Sequence, residues 1–378
     1  ERLSSVFMPK RERTEGNAQQ VVFPYEEKIR MSGLQSPASS RAKMPELVVC
    51  AALNVSDSVV PPGRAADTFT FTKSEVGSPA TGYVATTDFE DRAGHTPLTL
   101  PAMVAISGAA LSPSMGHMTR PWARFALAVL NVRLGVWVPN PLRLDDIPKA
   151  KGLVPGSFLN GLARGWYEPG PLYVLFEALG RNTLKRRFVY ITDGGHWENL
   201  GLVELLRRRC TRIVCLDAAG DSLSSFNTLA EAAALARSEL QVDIEIKPVP
   251  DLLPDDSGFS PQGHVVGDIT YPDGLKGKLV FVKAAMSADA PWDVKAYHAT
   301  HPQFPCEGTM DQFFDDAQFR AYQALGAHAA TGAVTALEAL DPPAPADEQG
   351  DEEVIAVDEI LLDGLGVGPD GAFLFGLI

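Results

Sequence analysis

An α/β fold built on a mostly parallel sheet, with helices on both faces, is what the middle of this sequence predicts. The runs RRFVYITD (186–193), TRIVCLDA (211–218) and VDIEI (242–246) alternate with helical stretches. The first two are apolar almost throughout, as strands buried on both faces are. A glycine pair, Gly194-Gly195, stands between the first strand and the helix that follows, where a sharp turn is needed.

The other elements support that frame in chain order. Residues 1–44 are polar, with scattered Arg and Lys, and read as an irregular segment. PELVVCAALNV (45–55) reads as a buried strand after a proline, and DTFTFTKSEVG (67–77), with its Thr/Phe alternation, as a second, half-exposed strand. Leu100 to Val138 is rich in small and apolar residues punctuated by Pro113 and Pro121, which predicts two helices; 140–170 reads as loop. PGPLYVLFEALG (169–180) has prolines at its start and glycine at its end, the usual helix asymmetry. Helices over 197–209 and 227–240, a strand at GKLVFVKA (277–284) and a long helix over 310–340 complete the domain. Phe313, Phe314, Phe319, Tyr322 and Leu325 recur at helical spacing on that last helix and predict a core-facing stripe. Residues 341–353 form an acidic, proline-rich linker, and the apolar tail 354–378 is unassigned.

Bulk properties narrow the function. With 378 residues, 45% hydrophobic, the chain can bury one large core or two ordinary ones. A net charge of -14 argues against nucleic acid as a partner, since phosphate binding needs a basic patch or stripe. The short basic runs at 184–187 and 207–209 read as solvated or helix-end charges. Cys50, Cys210, Cys215 and Cys306 have neither C-x-x-C spacing nor a dense framework, and read as reduced thiols. The apolar run 125–138 is shorter than the roughly 20 residues a bilayer span needs and is interrupted by Arg133.

Asp193 is the residue best placed for chemistry. It ends a buried strand at the edge where α/β proteins place ligands. D-G-G alone points more readily to a tight turn whose aspartate accepts backbone N–H groups. Gly195 as N-cap with Glu198 three residues on would start the helix without help from Asp193, leaving the acid spare. A dinucleotide site, with Asp217 ending the next strand, fits less well: Gly194, Gly195 and Gly201 do not form G-x-G-x-x-G. No histidine or cysteine grouping has metal spacing; His298, His301, Cys306 and Asp311 are a loop cluster, and His196 a turn residue. Ser107, in MVAISGAALS, has Ala105 and Ala109 where a nucleophile elbow has glycines, so it is a weak nucleophile candidate.

TDGGHWENLGLVELLRRRCTRIVCLDAAGD (192–221) resembles the second catalytic block of patatin-like phospholipases, in the branch related to the cytosolic phospholipase A2 catalytic domain. VCAALNV followed by FTFTKSEVG is similar to the segment before the lid region, and HPQFPCEGTMDQFFDDAQFRAYQALG to the closing segment of bacterial members. The resemblance runs roughly from residue 45 to 327 and sets the domain at 45–340. It implies a three-layer patatin-like sheet, incomplete at its N-terminal side, and hydrolysis of lipid acyl esters by a Ser/Asp dyad with no cofactor.

Residue by residue, the resemblance makes Asp193 the base, Gly194 and Gly195 the supporting turn, and Asn199 a hydrogen-bonding support. The serine elbow and the glycine-rich oxyanion loop precede the VCAALNV block in that family, and nothing before residue 45 matches them. The expected nucleophile therefore lies upstream of Glu1, making the chain the C-terminal part of a catalytic domain, inactive alone. The alternative is a non-catalytic lipid-binding or regulatory module. Implied partners are a phospholipid or other acyl lipid and a membrane surface, with the chain on the cytoplasmic side and anchored by segments outside it. Oligomeric state is not legible.

Overall fold

The computed structural model describes residues 10–13, 19–22, 29–34, 46–56, 60, 64–93, 98–108, 135–149, 169, 172–220, 226–246, 252–256, 258–308, 314–340 and 373–374. It forms two compact units, one from Glu1–Met44 and Val48–Trp197, the other from Pro45–Leu47 and Glu198–Gly376.

The first unit contains a small hairpin, β1 (Lys10–Arg13) with β2 (Gln19–Val22). Its main sheet has six strands: β3 (Val49–Asn54), β4 (Ala66–Phe71), β5 (Glu75–Ser78), β6 (Gly82–Ala85), β7 (Val136–Pro139) and β8 (Phe188–Thr192). They lie in the order β6-β5-β4-β3-β8-β7, and every pair is antiparallel. The Thr/Phe alternation of β4 does mark two faces, but both are buried. Phe69 and Phe71 pack edge-on at 5.1 Å and meet Phe89 of α1 (Thr86–Arg92) on one side. Thr68 and Thr70 face the other side, across from Ala52 and Cys50. The predicted single strand 67–77 is two, because Thr72 donates to the Glu75 carbonyl and accepts from its N–H, closing a turn.

Thr99 caps α2 (Leu100–Ser107) by accepting from Ala102 N–H. The second helix expected before Val138 falls in 109–134, outside the described residues. The loop expected at 140–170 holds a 3-10 turn at Pro141–Asp146, capped by Asn140; 150–168 are outside the described residues. Helix α3 (Leu172–Leu179) stops at Gly180, whose φ of +63° suits glycine, and Arg181 N–H closes on the Phe176 carbonyl at 2.9 Å.

The second unit holds a five-stranded sheet of β9 (Arg212–Asp217), β10 (Asp243–Ile246), β11 (His264–Thr270), β12 (Lys276–Lys283) and β13 (Phe373–Leu374). Its order is β10-β11-β12-β9-β13. Only the two pairs that include β9 are parallel. The α/β class stands, but the mostly parallel sheet does not. The runs 186–193 and 211–218 belong to different sheets, and β10 pairs with β11, a strand the sequence reading did not assign. An apolar run fixes burial on both faces and leaves the direction of its neighbours open.

The helices of this unit are α4 (Leu202–Arg207), α5 (Asn227–Leu235), continued by a π turn to Leu240, α6 (Trp292–Thr300) and α7 (Asp316–Glu338). On α7 the expected aromatic stripe is only partly inward. Leu325 is buried with Met286, Val294 and Phe304, and Tyr322 packs against them, whereas Phe314 and Phe319 are exposed. Phe313 lies outside the described residues, as do 341–353 and all of the tail except β13. Among the described residues no helix is long and apolar enough to cross a membrane.

The parallel strands β9 and β12 end in register at Asp217 and Lys283, which form a fully buried ion pair at 3.0 Å. Thr228 donates to the same carboxylate oxygen at 2.6 Å, and Lys283 also donates to the Ala219 carbonyl. Removing one partner strands a charge in the core. Lys283→Met is expected to lower stability by about 3–5 kcal/mol, measured by urea unfolding.

Candidate functional site

The site begins where β8 leaves the first sheet. Its pairing with β3 runs from Asn54↔Tyr190 to Ala52↔Thr192, so continuing the ladder would set Gly194 opposite Cys50. The chain turns instead, through Asp193 into a 3-10 turn at Gly194–His196. The Cys50 carbonyl accepts from the Ser107 hydroxyl at 2.6 Å. A Cβ on Gly194 would stand 3.0 Å from that carbonyl oxygen, a tight contact, and 3.8 Å from Ser107 Oγ, so the turn sits closely over the end of β3.

Asp193 is buried, with 4% of its surface exposed, and its Oδ1 accepts the Gly195 N–H at 2.6 Å. The acid is therefore not spare, as the sequence led us to expect; it caps the turn. Gly195 does not start the following α-helix. Gly201, with φ +63°, precedes α4, and Glu198 supplies the side-chain cap, accepting from Leu200 N–H at 2.5 Å and Val203 N–H at 3.2 Å. Burial pushes the Asp193 carboxyl up to about 6, against the pull of the Gly195 hydrogen bond. Burial likewise raises Glu198 to about 7, opposed by backbone N–H groups and reinforced by the charge of Asp217.

Beneath the turn lies a buried polar chain. Thr192 Oγ1 accepts from Asn54 Nδ2 at 2.8 Å and is 2.9 Å from His196 Nδ1. It ties β3, β8 and the turn together, so His196 is an interior residue and not a turn ornament. On the same sheet face, the Thr68 and Thr70 hydroxyls are buried with no hydrogen-bond partner among the described residues, and the indole N–H of Trp197, the residue after the turn, is in the same state.

Ser107, the weak nucleophile candidate, is brought to the D-G-G turn but in the wrong setting for attack. It closes the C-terminal end of α2, where the helix dipole disfavours a developing negative charge. A nucleophile elbow instead places its serine before a helix N-terminus. Asn199 lies half-buried in the bend leading to α4, in the second unit. Of the expected site residues, Gly194 and Ser107 meet at the Cys50 carbonyl, with Asp193 and Gly195 in the same turn as Gly194. The Cys50 carbonyl itself, Thr192 and Asn54 had no signal, because a strand run conceals which of its members ends the ladder.

The other candidates dissolve. Asp217, the acid a dinucleotide ribose would need, is consumed by Lys283 and Thr228. His298 Nδ1 meets the Phe304 carbonyl at 2.7 Å and His301 stacks on Tyr297; Asp311 lies outside the described residues. Among the described residues no group of three His, Cys, Asp or Glu is placed to hold a metal ion.

No protein-family model matches the chain, and no curated protein does. Among solved structures it is similar to human GIVD cytosolic phospholipase A2, at 12% identity and a TM-score of 0.43. That match takes in 82% of this chain and 46% of the human one, so the chain spans about half the length of its neighbour.

Two measurements check this geometry. Thr192→Val removes the oxygen shared by Asn54 and His196 and is expected to cost about 2–4 kcal/mol of stability, with Thr192→Ser close to wild type, in chemical denaturation. Asp193 binds a proton more readily folded than unfolded, so its contribution to stability is lost as pH rises from about 4 through about 6. Asp193→Asn keeps an oxygen for Gly195 and escapes that loss. It should be more stable than wild type at neutral pH, by up to about 3 kcal/mol, and no more stable below about pH 4.

Proposed function

We propose that this chain carries the acidic half of a Ser/Asp dyad in a lipid acyl hydrolase of phospholipase or lysophospholipase type, with Asp193 as the general base. The observation that supports the reading most is the state of that carboxyl. It is buried at a strand tip, accepts a hydrogen bond from the Gly195 backbone N–H, and is poised at about 6, where it is ionised at neutral pH yet basic enough to accept a proton. The likeness of 192–221 to the second patatin-like catalytic block supports the same role.

In this mechanism a serine supplied by polypeptide preceding Glu1 attacks the ester carbonyl carbon. Its hydroxyl proton passes to an Asp193 oxygen as the new C–O bond forms, and the oxyanion is held by N–H groups of a glycine-rich loop, also outside this chain. Asp193 returns the proton to the departing alcohol oxygen as the original ester C–O bond breaks. Water then releases the acyl group by the same exchange in reverse. Gly194 and Gly195 keep the turn narrow enough for the serine's own turn to come close, and Asn199 supports the bend that follows. The substrate is an acyl lipid at a membrane on the cytoplasmic side.

A second reading, a non-catalytic lipid-binding module, is favoured by one observation: Ser107, a serine beside the turn, has its hydroxyl bound to the Cys50 carbonyl. A fluorophosphonate probe separates the two. On the first reading the full-length protein is labelled at a serine other than Ser107, and on the second at none. For the enzyme, Asp193→Asn in the full-length protein is expected to lower ester hydrolysis by about 10²–10⁴-fold with the fold intact. Wild-type activity should rise with pH through about 6 as the base ionises. Retention of most activity by Asp193→Asn would exclude Asp193 as the base.

A further inference from the structure

Helix α3 has two unlike sides. Tyr173 and Phe176 turn inward, Tyr173 meeting Trp137 at 4.7 Å and Phe188 at 5.6 Å. Leu175 and Leu179, one turn apart, face outward and are 50% and 52% exposed, although leucine on a two-turn helix gains nothing from water. After Gly180 the chain doubles back. The Arg186 guanidinium lies 3.3 Å over the Phe176 ring and donates to the Arg181 carbonyl at 2.6 Å, which fixes the stretch 181–187 beside the helix.

That stretch is the reverse of the chain as a whole. Arg181, Lys185, Arg186 and Arg187 are four cations, with no acidic residue from 178 to 192, in a protein of net charge -14. Arg181 and Lys185 are exposed and form no ion pair among the described residues. The sequence led us to read this run as solvated charge; Arg186, stacked on Phe176, holds it beside α3, and it starts two residues beyond Leu179. A nucleic acid would use the cations and leave the leucines in water. A second copy of this chain would set the cations of each against the other. Leucines flanked by Lys and Arg match one kind of surface on both counts, an apolar interior beneath anionic headgroups.

We propose that the Leu175–Leu179 edge of α3 and the basic turn 181–187 form a docking surface for an anionic lipid bilayer. The leucines enter the boundary between headgroups and acyl chains, and Arg181 and Lys185 lie at the headgroup phosphates. The surface is independent of the chemistry assigned to Asp193, and the two fail separately.

The test is co-sedimentation of the full chain with vesicles of phosphatidylcholine containing phosphatidylserine, at low and high salt, beside pure phosphatidylcholine vesicles. Wild type should bind the anionic vesicles and lose binding as salt rises. Arg181→Ala with Lys185→Ala should weaken binding about thirtyfold, about fivefold for each charge. Leu175→Ser with Leu179→Ser should weaken it as well, and Asp193→Asn should leave it unchanged. All four substituted side chains at this surface are exposed, so circular dichroism should match wild type. Absence of binding, equal binding to neutral vesicles, or unaltered binding by both double variants would overturn the proposal. So would retention on immobilised polyglutamate in place of vesicles, lost in the arginine–lysine variant, which would assign the surface to an acidic protein. A change of sedimentation coefficient confined to the leucine variant would overturn it too, and assign the edge to a second copy.

Discussion

The pairing of β3 with β8 stops at Ala52 and Thr192, and the next carbonyl in line, that of Cys50, accepts a hydrogen bond from the Ser107 hydroxyl. A backbone carbonyl left unmet in the interior costs on the order of 1–3 kcal/mol, and the Ser107 hydroxyl helps to meet that need at half-buried Cys50, where the strands part. The parting swings Asp193 out of the sheet. It also favours Gly194, since a Cβ there would crowd the carbonyl just released. The Asn54–Thr192–His196 chain then holds the turn from below. Helix α2, two strands and one turn thus meet at a single missed pairing.

Three acids within 25 residues are buried here, and each is treated differently. Asp217 has a full counter-charge in Lys283. Glu198 has no cation but several backbone N–H groups from the start of α4, and burial still lifts it to about 7. Asp193 has the smallest support among the described residues, the Gly195 N–H, and is lifted to about 6. The first arrangement serves the fold, since a buried, fully hydrogen-bonded pair has no capacity left for a reactant. The last leaves lone pairs open on an acid whose proton is easily gained and lost, which is a poor way to stabilise a turn and a good way to build a base.

Where the sequence and the structure agree, burial is the reason. The strands β3, β8, β9 and β12 and the helix α3 were legible because apolar runs, prolines and Gly180 record local needs. What was hidden is what depends on partners far along the chain. β11 escaped notice because His264, Gly267 and Asp268 interrupt its alternation, and its pairing with β10 and β12 is what supports it. The division into two sheets was equally silent, since Ile191 and Val214 are as apolar in one as in the other. At the site, Asp193 and its glycines stood out, whereas the role of Asn54 rests on Thr192, 138 residues later. Ser107 was visible as a serine among small residues, but its true partner is a backbone carbonyl, and backbone groups leave no trace in a sequence.

Strand β10 ends the second sheet on one side, and its residues alternate between exposed Asp243 and Glu245 and half-buried Ile244 and Ile246. An outer strand offers unpaired N–H and C=O groups to any extended chain that drifts alongside. Two carboxylates projecting from so short a strand, one already engaged by Arg237, surround that offer with negative charge. The rim of this sheet is thereby guarded against adding a stray strand from a neighbouring molecule, and a strand already legible in the sequence carries the acids that discourage the finished sheet from growing.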